Sequence, residues 1–340
     1  MPRAGSRANR RLARLDTTVR PLPTYTIANA VAFSERQILH PKSKASGAQA
    51  FRPAERRGAA PKGCATSTSR RLAAQDAVHD PSNVLRHLGP LAQASLSSHV
   101  DVAGARLHIP GSLKIRLSVV ASNMRLHRLI DEAVAPGATV VDVGANIGHN
   151  TVYLARRVGD RGRVVAIEPA ADNVRVLREN VRANALANVA IHAVAAGPTH
   201  EVRDLFLRGE TSAVNSLFQE SVYAAVTGVE KVEVVPLDEL VDGPADFIKI
   251  DVEGAELDAL EGMTRLLTHR GLTLVVEWHP RLQEAAGHPA DALPRFLLRN
   301  GFTLRAASHT RVTALASEGI DAMCVRLRQS GRPIELVATR

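Results

Sequence analysis

The sequence has few cysteines, few aromatic residues and no long apolar run, and each scarcity excludes a class of protein. Its two cysteines, Cys64 and Cys324, stand far apart and outside any Cys/His cluster. This spacing argues against a disulfide framework and against a structural zinc site. No stretch approaches the roughly 18 consecutive apolar residues that a membrane-spanning helix needs. We therefore expect a cytoplasmic protein with no membrane partner.

Acidic residues are scarce in the first 75 residues, which hold 15 Lys or Arg against three acids. The rest of the chain has 28 basic and 31 acidic residues, so the net charge of +9 originates in this N-terminal tail. Residues 1–85 lack helical or strand periodicity and are rich in Arg, Ala, Ser and Pro, which predicts a disordered basic tail. We interpret it as a dispensable extension. The alternative is a nucleic-acid-binding arm, although the tail has almost no aromatic side chains to stack on bases.

Apolar residues make up 45% of the chain, and beyond residue 100 they recur at strand and helix spacings. The pattern predicts a β-hairpin around Pro110-Gly111, from strands at 102–109 and 115–120, and then a helix over 124–135. The later predicted strands are 139–143, 163–167, 189–195, 247–252, 272–278, 302–306 and 322–327. Predicted helices lie between them, among them 149–158, 171–185 and 292–299.

Apolar strands that alternate with amphipathic helices predict an α/β fold, a doubly wound and mostly parallel sheet covered by helices on both faces. We divide the folded part into three regions. Residues 86–138 form the hairpin and helix that lead into the main domain, 139–330 form that domain, and 331–340 form a C-terminal tail.

A glycine-rich turn, Asp142-Val-Gly144-Ala145-Asn146-Ile-Gly148, follows the first strand of the domain. Ligands bind beyond the carboxyl ends of such strands, and glycine lets the backbone approach a ligand closely. The turn lacks the third glycine of the dinucleotide-binding fingerprint, and an acid, Asp142, precedes its first glycine. A diphosphate prefers bare amides, whereas an acid suits the ammonium group of a ligand that carries an amino acid. A tight turn without a ligand is the alternative.

Glu168 ends the second strand, 24 residues after the first glycine of the turn. A carboxylate at this strand tip can accept hydrogen bonds from both ribose hydroxyls of an adenosine. A helix cap or a surface acid is the alternative. Together, the turn and this acid favour a ribose-binding role.

Charged residues also end two later strands, Lys249, Asp251 and Glu253 on one and Glu277 and His279 on the next. Strand alternation puts the first three on one side, and a lysine within an apolar strand needs a charged partner. Since the carboxyl ends of parallel strands meet at one edge, we expect all these acids and the imidazole above the same reaction zone.

The stretch from residue 140 to about 280 resembles the FkbM-type methyltransferases. The matching segments are VVDVGANIGHNTVYLA, AIEPAADNVRVLRENVRAN, the Pro236-Leu-Asp238-Glu-Leu segment and DFIKIDVEGAELDALEGM. The resemblance implies a Rossmann-like class I methyltransferase fold with S-adenosyl-L-methionine as cofactor. It also implies O-methylation of a hydroxyl on a small-molecule acceptor, a sugar or a polyketide-like natural product.

By this resemblance, Glu168 would hold the ribose and Asp251 would lie near the transferring methyl group. The residues expected to bind the methionine end of the cofactor are Asp142, Gly144, Ala145, Asn146 and Gly148. The third strand ends without an acid or amide that could bind the adenine amino group. Residues 211–217 resemble a family loop near the active site, and an ordinary surface loop is the alternative.

Methyl transfer to a hydroxyl benefits from a general base. We predict His279 as the base, with Asp251 as the second candidate, and Glu277 as a residue that orients the imidazole or the acceptor. A purely structural His279 is the alternative. The acids and the imidazole could also hold a divalent ion, but their spacing matches no recognised pattern, and we assign no metal ligand.

Two other classes of function remain as alternatives. An NAD-dependent oxidoreductase shares the fold but should have the third glycine. A nucleic-acid-binding or RNA-modifying protein would use the basic tail as its contact surface, whereas we expect no nucleic-acid partner. The sequence leaves the oligomeric state open.

Overall fold

The computed structural model describes six stretches of the chain, residues 99–102, 105–111, 124–208, 214–221, 225–308 and 311–340. Three expectations therefore lie outside the described residues. These are the disordered tail at 1–85, the second hairpin strand at 115–120 and the first part of the loop at 211–217.

In the described part of the chain, the strands are β1 (His99–Val102), β2 (Ala105–His108), β3 (Thr139–Val143), β4 (Arg163–Ile167), β5 (Val189–His192), β6 (Ala195–Ala196), β7 (Glu201–Arg208), β8 (Val226–Val235), β9 (Phe247–Ile250), β10 (Thr273–Trp278), β11 (Thr303–Ala307), β12 (Val312–Ala314) and β13 (Ile334–Thr339). The α-helices there are α1 (Met124–Ala133), α2 (His149–Val158), α3 (Ala171–Ala183), α4 (Leu237–Leu240), α5 (Glu256–Glu261), α6 (Pro280–Ala285), α7 (Ala292–Arg299) and α8 (Ile320–Ser330). None of these helices is long and apolar enough to cross a bilayer.

Eight strands form the central sheet in the order β12-β11-β13-β10-β9-β3-β4-β5. The five strands from β10 to β5 are parallel to their neighbours, and β13 runs antiparallel between β10 and β11. The chain winds outward from β3 to β5 and then returns to β9 on the other side of β3. The predicted doubly wound, mostly parallel α/β fold is confirmed, and its switch point lies between β3 and β9.

The central strands are apolar because both faces of the sheet are covered. Val141, Val143 and Ile250 belong to a core on one face, which α7 and α8 complete. Val140 and Phe247 belong to a second core on the other face, beneath α1 and α2. This double burial explains the continuous apolar runs that made these strands recognisable.

Strands β6, β8 and β7 form a separate three-stranded sheet in that order, and the sequence prediction missed the long β7–β8 pair. Val202 and Val229 are exposed while Leu205 and Val234 are buried. Only one face of the β7–β8 pair is buried, and charged residues lie among the apolar ones. The segment therefore lacks the continuous apolar run on which the prediction relied. The segment joins the third parallel strand to the fourth.

Two predictions near the C-terminal end of the fold need correction. The segment 322–327 is not a strand but part of α8, whose buried residues Ile320, Cys324 and Leu327 follow helical spacing. The predicted C-terminal tail at 331–340 contains β13, which pairs with β10 and β11 inside the sheet. Strand β2 pairs with β1 on its N-terminal side, whereas its predicted partner at 115–120 lies outside the described residues, so the hairpin around Pro110-Gly111 stays a prediction.

Candidate active site at the switch point

A cleft opens at the carboxyl ends of β3, β4 and β9, where the sheet changes winding direction. Its empty space amounts to about 540 Å³, part of which is open solvent. Its walls comprise Val143, Gly144, Asn146, Ile167, Glu168, Pro169, Ala195, Ala196, Leu205, Asn215, Ser216, Leu217, Asp251, Val252, Glu253 and Ala255. Residues from four predicted site segments thus meet in one place.

The glycine loop, residues 144–148, forms one wall of the cleft. Gly144 has φ +76°, and a Cβ added there would lie 1.9 Å from the carbonyl oxygen of Asp251. Only glycine fits this approach between the ends of β3 and β9. Asn146 also has a positive φ, 51°, and its side-chain oxygen accepts a hydrogen bond from the N–H of Ile147 at 2.7 Å. Such local bonding makes asparagine tolerant of this conformation.

Glu168 lies in the same wall, as the sequence predicted, and its side chain is nearly buried. Three N–H groups donate to its carboxylate, from the backbone of Asn146 (2.9 Å), the backbone of Ala170 (3.0 Å) and the side chain of Asn173 (3.0 Å). Burial raises the pKa of Glu168, and these hydrogen bonds oppose the shift. A carboxylate has about four acceptor positions, so one remains for a ligand in the cleft.

Asp142, which the sequence predicts at the methionine end of a cofactor, is not among the residues that line the cleft. Strand alternation points its fully buried carboxylate to the face beneath α1 and α2. There it accepts a hydrogen bond from the hydroxyl of Thr151 (2.6 Å) and lies 3.5 Å from the ammonium of Lys249. Burial raises the pKa of Asp142, and Lys249 opposes that shift. Asp142 therefore supports the site from below.

Lys249 connects the two strands at the switch point. Its ammonium donates to the carbonyl of Gly144 at 3.0 Å and lies 3.4 Å from the carboxylate of Asp251. Burial disfavours the charge, but the nearby Asp251 and Asp142 outweigh it and raise the pKa of Lys249. The predicted need of this lysine for a charged partner is met by two carboxylates.

Ala145 and Gly148 lie in the glycine loop without lining the cleft. Gly148 has φ +89°, and a Cβ there would lie 2.4 Å from the side chain of Leu177 on α3. This glycine thus allows α3 to pack against the loop, and Ala145 is buried behind it. Both residues shape the loop from its rear side.

Three carboxylates, Asp251, Glu253 and Glu277, gather beside the cleft and are called the acid cluster here. One oxygen from each lies within 4.8 Å of the others, and Asp251 and Glu253 face the cleft. Burial raises the pKa of Glu277 and of Glu253 well above the usual range, and the charge of Asp251 adds to both shifts. Such oxygens can hold a divalent cation, but Lys249 already balances part of their charge.

Glu256 was not singled out from the sequence, and it shapes the loop that carries the acid cluster. Its buried carboxylate accepts hydrogen bonds from the backbone N–H groups of Val252 and Gly254, both at 3.1 Å, and from the side chain of Gln283 at 2.8 Å. Burial raises the pKa of Glu256 to about 7. It therefore fixes the turn between β9 and α5.

His279 is not among the residues that line the cleft. Its side chain is 2% exposed, and it directly precedes α6. Burial lowers the pKa of His279, and a hydrogen bond with the backbone of Gly331 opposes this shift. Glu277 does not line the cleft either, but one of its oxygens lies within 4.8 Å of oxygens of Asp251 and Glu253, which do line it.

The segment 214–219 covers the cleft and is held by Arg208, a residue that sequence reasoning missed. The guanidinium of Arg208 is buried and donates to the carbonyl of Phe218 at 2.9 Å, and the backbone N–H of Arg208 donates to the side chain of Asn215 at 3.0 Å. The hydroxyl of Ser216 donates to the carbonyl of Glu253 at 2.7 Å. The predicted loop thus contributes Asn215 and Ser216 to the cleft.

Comparison with known proteins identifies the domain. Residues 142–304 match the family described as "Methyltransferase FkbM domain". The resemblance seen in the sequence is confirmed, and the chain carries a domain of the FkbM methyltransferase family.

Individual relatives are more distant. The chain is 30% identical over 204 residues to the AMB antimetabolite synthetase AmbE of Pseudomonas aeruginosa, a match that covers 49% of this chain and 10% of that protein. The chain thus spans about a tenth of that relative's length. Among solved structures, it is similar to a methyltransferase FkbM from Methylobacillus flagellatus (20% identity, TM-score 0.36, 59% of this chain and 53% of that one). It is also similar to a putative rRNA-methylase from Clostridium thermocellum (14%, 0.40, 63% and 93%).

Proposed function

We propose that the cleft binds S-adenosyl-L-methionine and that the enzyme transfers its methyl group to a hydroxyl of a small acceptor, a sugar or a polyketide-like natural product. The observation that carries this proposal is the convergence of Gly144, Glu168 and Asp251 on one cleft at the switch point. The cofactor supplies an activated methyl group. The protein's own residues bind the cofactor, orient the acceptor and remove the proton of its hydroxyl.

The residues of the cleft fit this cofactor. The open acceptor position of Glu168 suits a ribose hydroxyl, because the other positions already hold the carboxylate in place. The apolar wall of Ala195, Ala196 and Leu205 suits the flat face of an adenine. Gly144 lies close to the chain after β9, so the cleft wall at this point is backbone without a side chain. Such a wall suits the methionine end of the cofactor.

The acid cluster supports deprotonation of the acceptor. Asp251 faces the cleft and can accept a hydrogen bond from the acceptor hydroxyl, and its carboxylate lies 3.4 Å from the ammonium of Lys249. Glu277 carries a raised pKa, which makes its carboxylate the stronger base once it is ionised. In this proposal Asp251 orients the hydroxyl and Glu277 receives its proton. His279, which is covered by protein, is no longer the first candidate.

The cofactor assignment is tested by calorimetry with S-adenosylmethionine and with NAD. We expect micromolar-range binding of the former and none of the latter. Glu168→Ala should weaken binding by about 10- to 100-fold, since it removes a charged acceptor of buried hydrogen bonds. Glu179→Ala, an exposed acid on α3, is the matched control and should bind like the wild type. Tight binding of NAD, or equal affinities of the two variants, would contradict the assignment.

The base assignment is tested by Glu277→Gln. Incubation of cell extracts with the enzyme and isotopically methyl-labelled cofactor identifies the acceptor by mass spectrometry. With this acceptor, we expect the variant to lose about 10²- to 10⁴-fold in turnover. The wild-type rate should rise with pH through a pKa above the usual carboxyl range, because burial and Asp251 raise the pKa of Glu277 and the ionised form is active. An unchanged rate in Glu277→Gln, together with a large loss in His279→Gln, would restore His279 as the base.

A further inference from the structure

Two asparagines, Asn180 in α3 and Asn184 at its C-cap, bind the backbone of β2 in the way that a neighbouring strand would. The side chain of Asn180 accepts from the N–H of His108 (2.6 Å) and donates to its carbonyl (3.0 Å). Asn184, one helical turn later, accepts from the N–H of Arg106 (3.0 Å) and donates to its carbonyl (2.7 Å). Alternate residues of a strand direct their backbone groups to the same edge. The two asparagines therefore satisfy the edge of β2 that faces away from β1.

Asn184 also accepts a hydrogen bond from Arg156 on α2 (3.0 Å) and donates to the carbonyl of Asn180 (2.8 Å), whereas Asn180 reaches the glycine loop. Its amide nitrogen also donates to the carbonyl of Ile147, in the glycine loop, at 2.7 Å. The side chain of Asn180 is fully buried, and its amide has only two N–H groups. Both are used, one on β2 and one on the loop. No other natural side chain of this length offers one acceptor and two donors.

A continuous hydrogen-bonded path thus leads from the hairpin to the cleft. It runs from His108 through Asn180 to Ile147, whose preceding residue, Asn146, donates its N–H to Glu168. Apolar packing connects the same parts of the chain. Ile147 in the glycine loop packs against a small core that contains Leu107 of β2 and Val152 of α2. The carboxylate that faces the cleft is therefore held by a loop that is itself held by the hairpin.

We propose that Asn180 is a positioning residue that couples docking of the β1–β2 hairpin to cofactor binding through the carbonyl of Ile147. This inference rests on the proposed function, because it takes the glycine loop to hold S-adenosylmethionine. Binding and hairpin docking then stabilise each other, since coupling between two sites is reciprocal. Asn184 holds the hairpin without taking part in the coupling.

The pair Asn180→Leu and Asn184→Leu tests this inference. Each variant loses hydrogen bonds to β2, but only Asn180→Leu loses the bond to the loop. In calorimetry with S-adenosylmethionine, we expect about a tenfold loss of affinity for Asn180→Leu and less than about a twofold loss for Asn184→Leu. Equal affinities of the two variants, whether weakened or not, would overturn the role of Asn180.

Hydrogen exchange of the wild-type protein provides a second readout that needs no variant. We expect S-adenosylmethionine to slow exchange of the backbone amides of Arg106 and His108, which lie outside the cleft. Unchanged exchange at saturating cofactor would overturn the coupling even if Asn180→Leu failed to fold. Failure of the wild type to bind the cofactor would instead overturn the proposed function and, with it, this inference. The two failures are therefore distinguishable.

Discussion

Gly144→Ala is expected to abolish measurable binding of S-adenosylmethionine. The added Cβ would lie 1.9 Å from the carbonyl oxygen of Asp251 and 3.2 Å from the side chain of Val252. The first of these atoms is backbone, so β3 and β9 would have to move apart at the point where the cleft begins. The positive φ adds a conformational cost of about 1 kcal/mol. Calorimetry should show at least a 100-fold loss of affinity, and thermal unfolding should show lower stability.

Gly137→Ala is the matched control for this prediction. Gly137 has a similar conformation, φ +86°, but no atom lies within 4 Å of the position of its Cβ. This variant should lose only the conformational cost of about 1 kcal/mol and should keep its affinity for the cofactor. If Gly144→Ala bound the cofactor as well as Gly137→Ala does, the close approach at the switch point would not matter for binding.

The sequence predicted the centre of the fold more accurately than its periphery. The bounds of β3, β4 and α2 were predicted correctly, because both faces of the sheet are covered there and the apolar runs end at glycines. Strand β13 and helix α8 were not recognised, since their partners are distant in the chain and short segments of mixed polarity fit either structure. The antiparallel insertion of β13 between β10 and β11 depends on such distant contacts.

The residues of the candidate site likewise differ in how well the sequence predicted them. Glu168 and Gly144 were correctly placed beside each other, because the carboxyl ends of neighbouring parallel strands share one edge. Asp142, which was assigned to the methionine end of the cofactor, lies opposite Lys249 where β3 pairs with β9, and its assignment stays a prediction. The roles of Arg208 and Asn180 could not be predicted, since each binds backbone groups that only the folded chain brings within reach.

The network beneath the cleft gives the second large expected effect, a loss of about 3–5 kcal/mol of stability in Lys249→Met. Methionine has a similar length but no charge, so the fully buried carboxylate of Asp142 would lose its cationic partner. The carbonyl of Gly144 would lose its hydrogen bond as well. Urea unfolding measures this loss, and a lower affinity for S-adenosylmethionine should accompany it because Lys249 holds the glycine loop.

Two further variants separate the buried ion pair from a general effect of removing a lysine. Lys231→Met removes an exposed lysine paired with Asp204 at 2.6 Å, and it should change stability by no more than about 1 kcal/mol, as exposed ion pairs do. The double variant Lys249→Met with Asp142→Asn should recover part of the loss, since it also removes the stranded charge. If Lys249→Met were as stable as Lys231→Met, backbone hydrogen bonds and apolar packing would hold β3 and β9 together without the ion pair. In that case the lysine would have to be explained by its contact with Asp251 at the cleft, and the affinity for the cofactor would fall without any loss of stability.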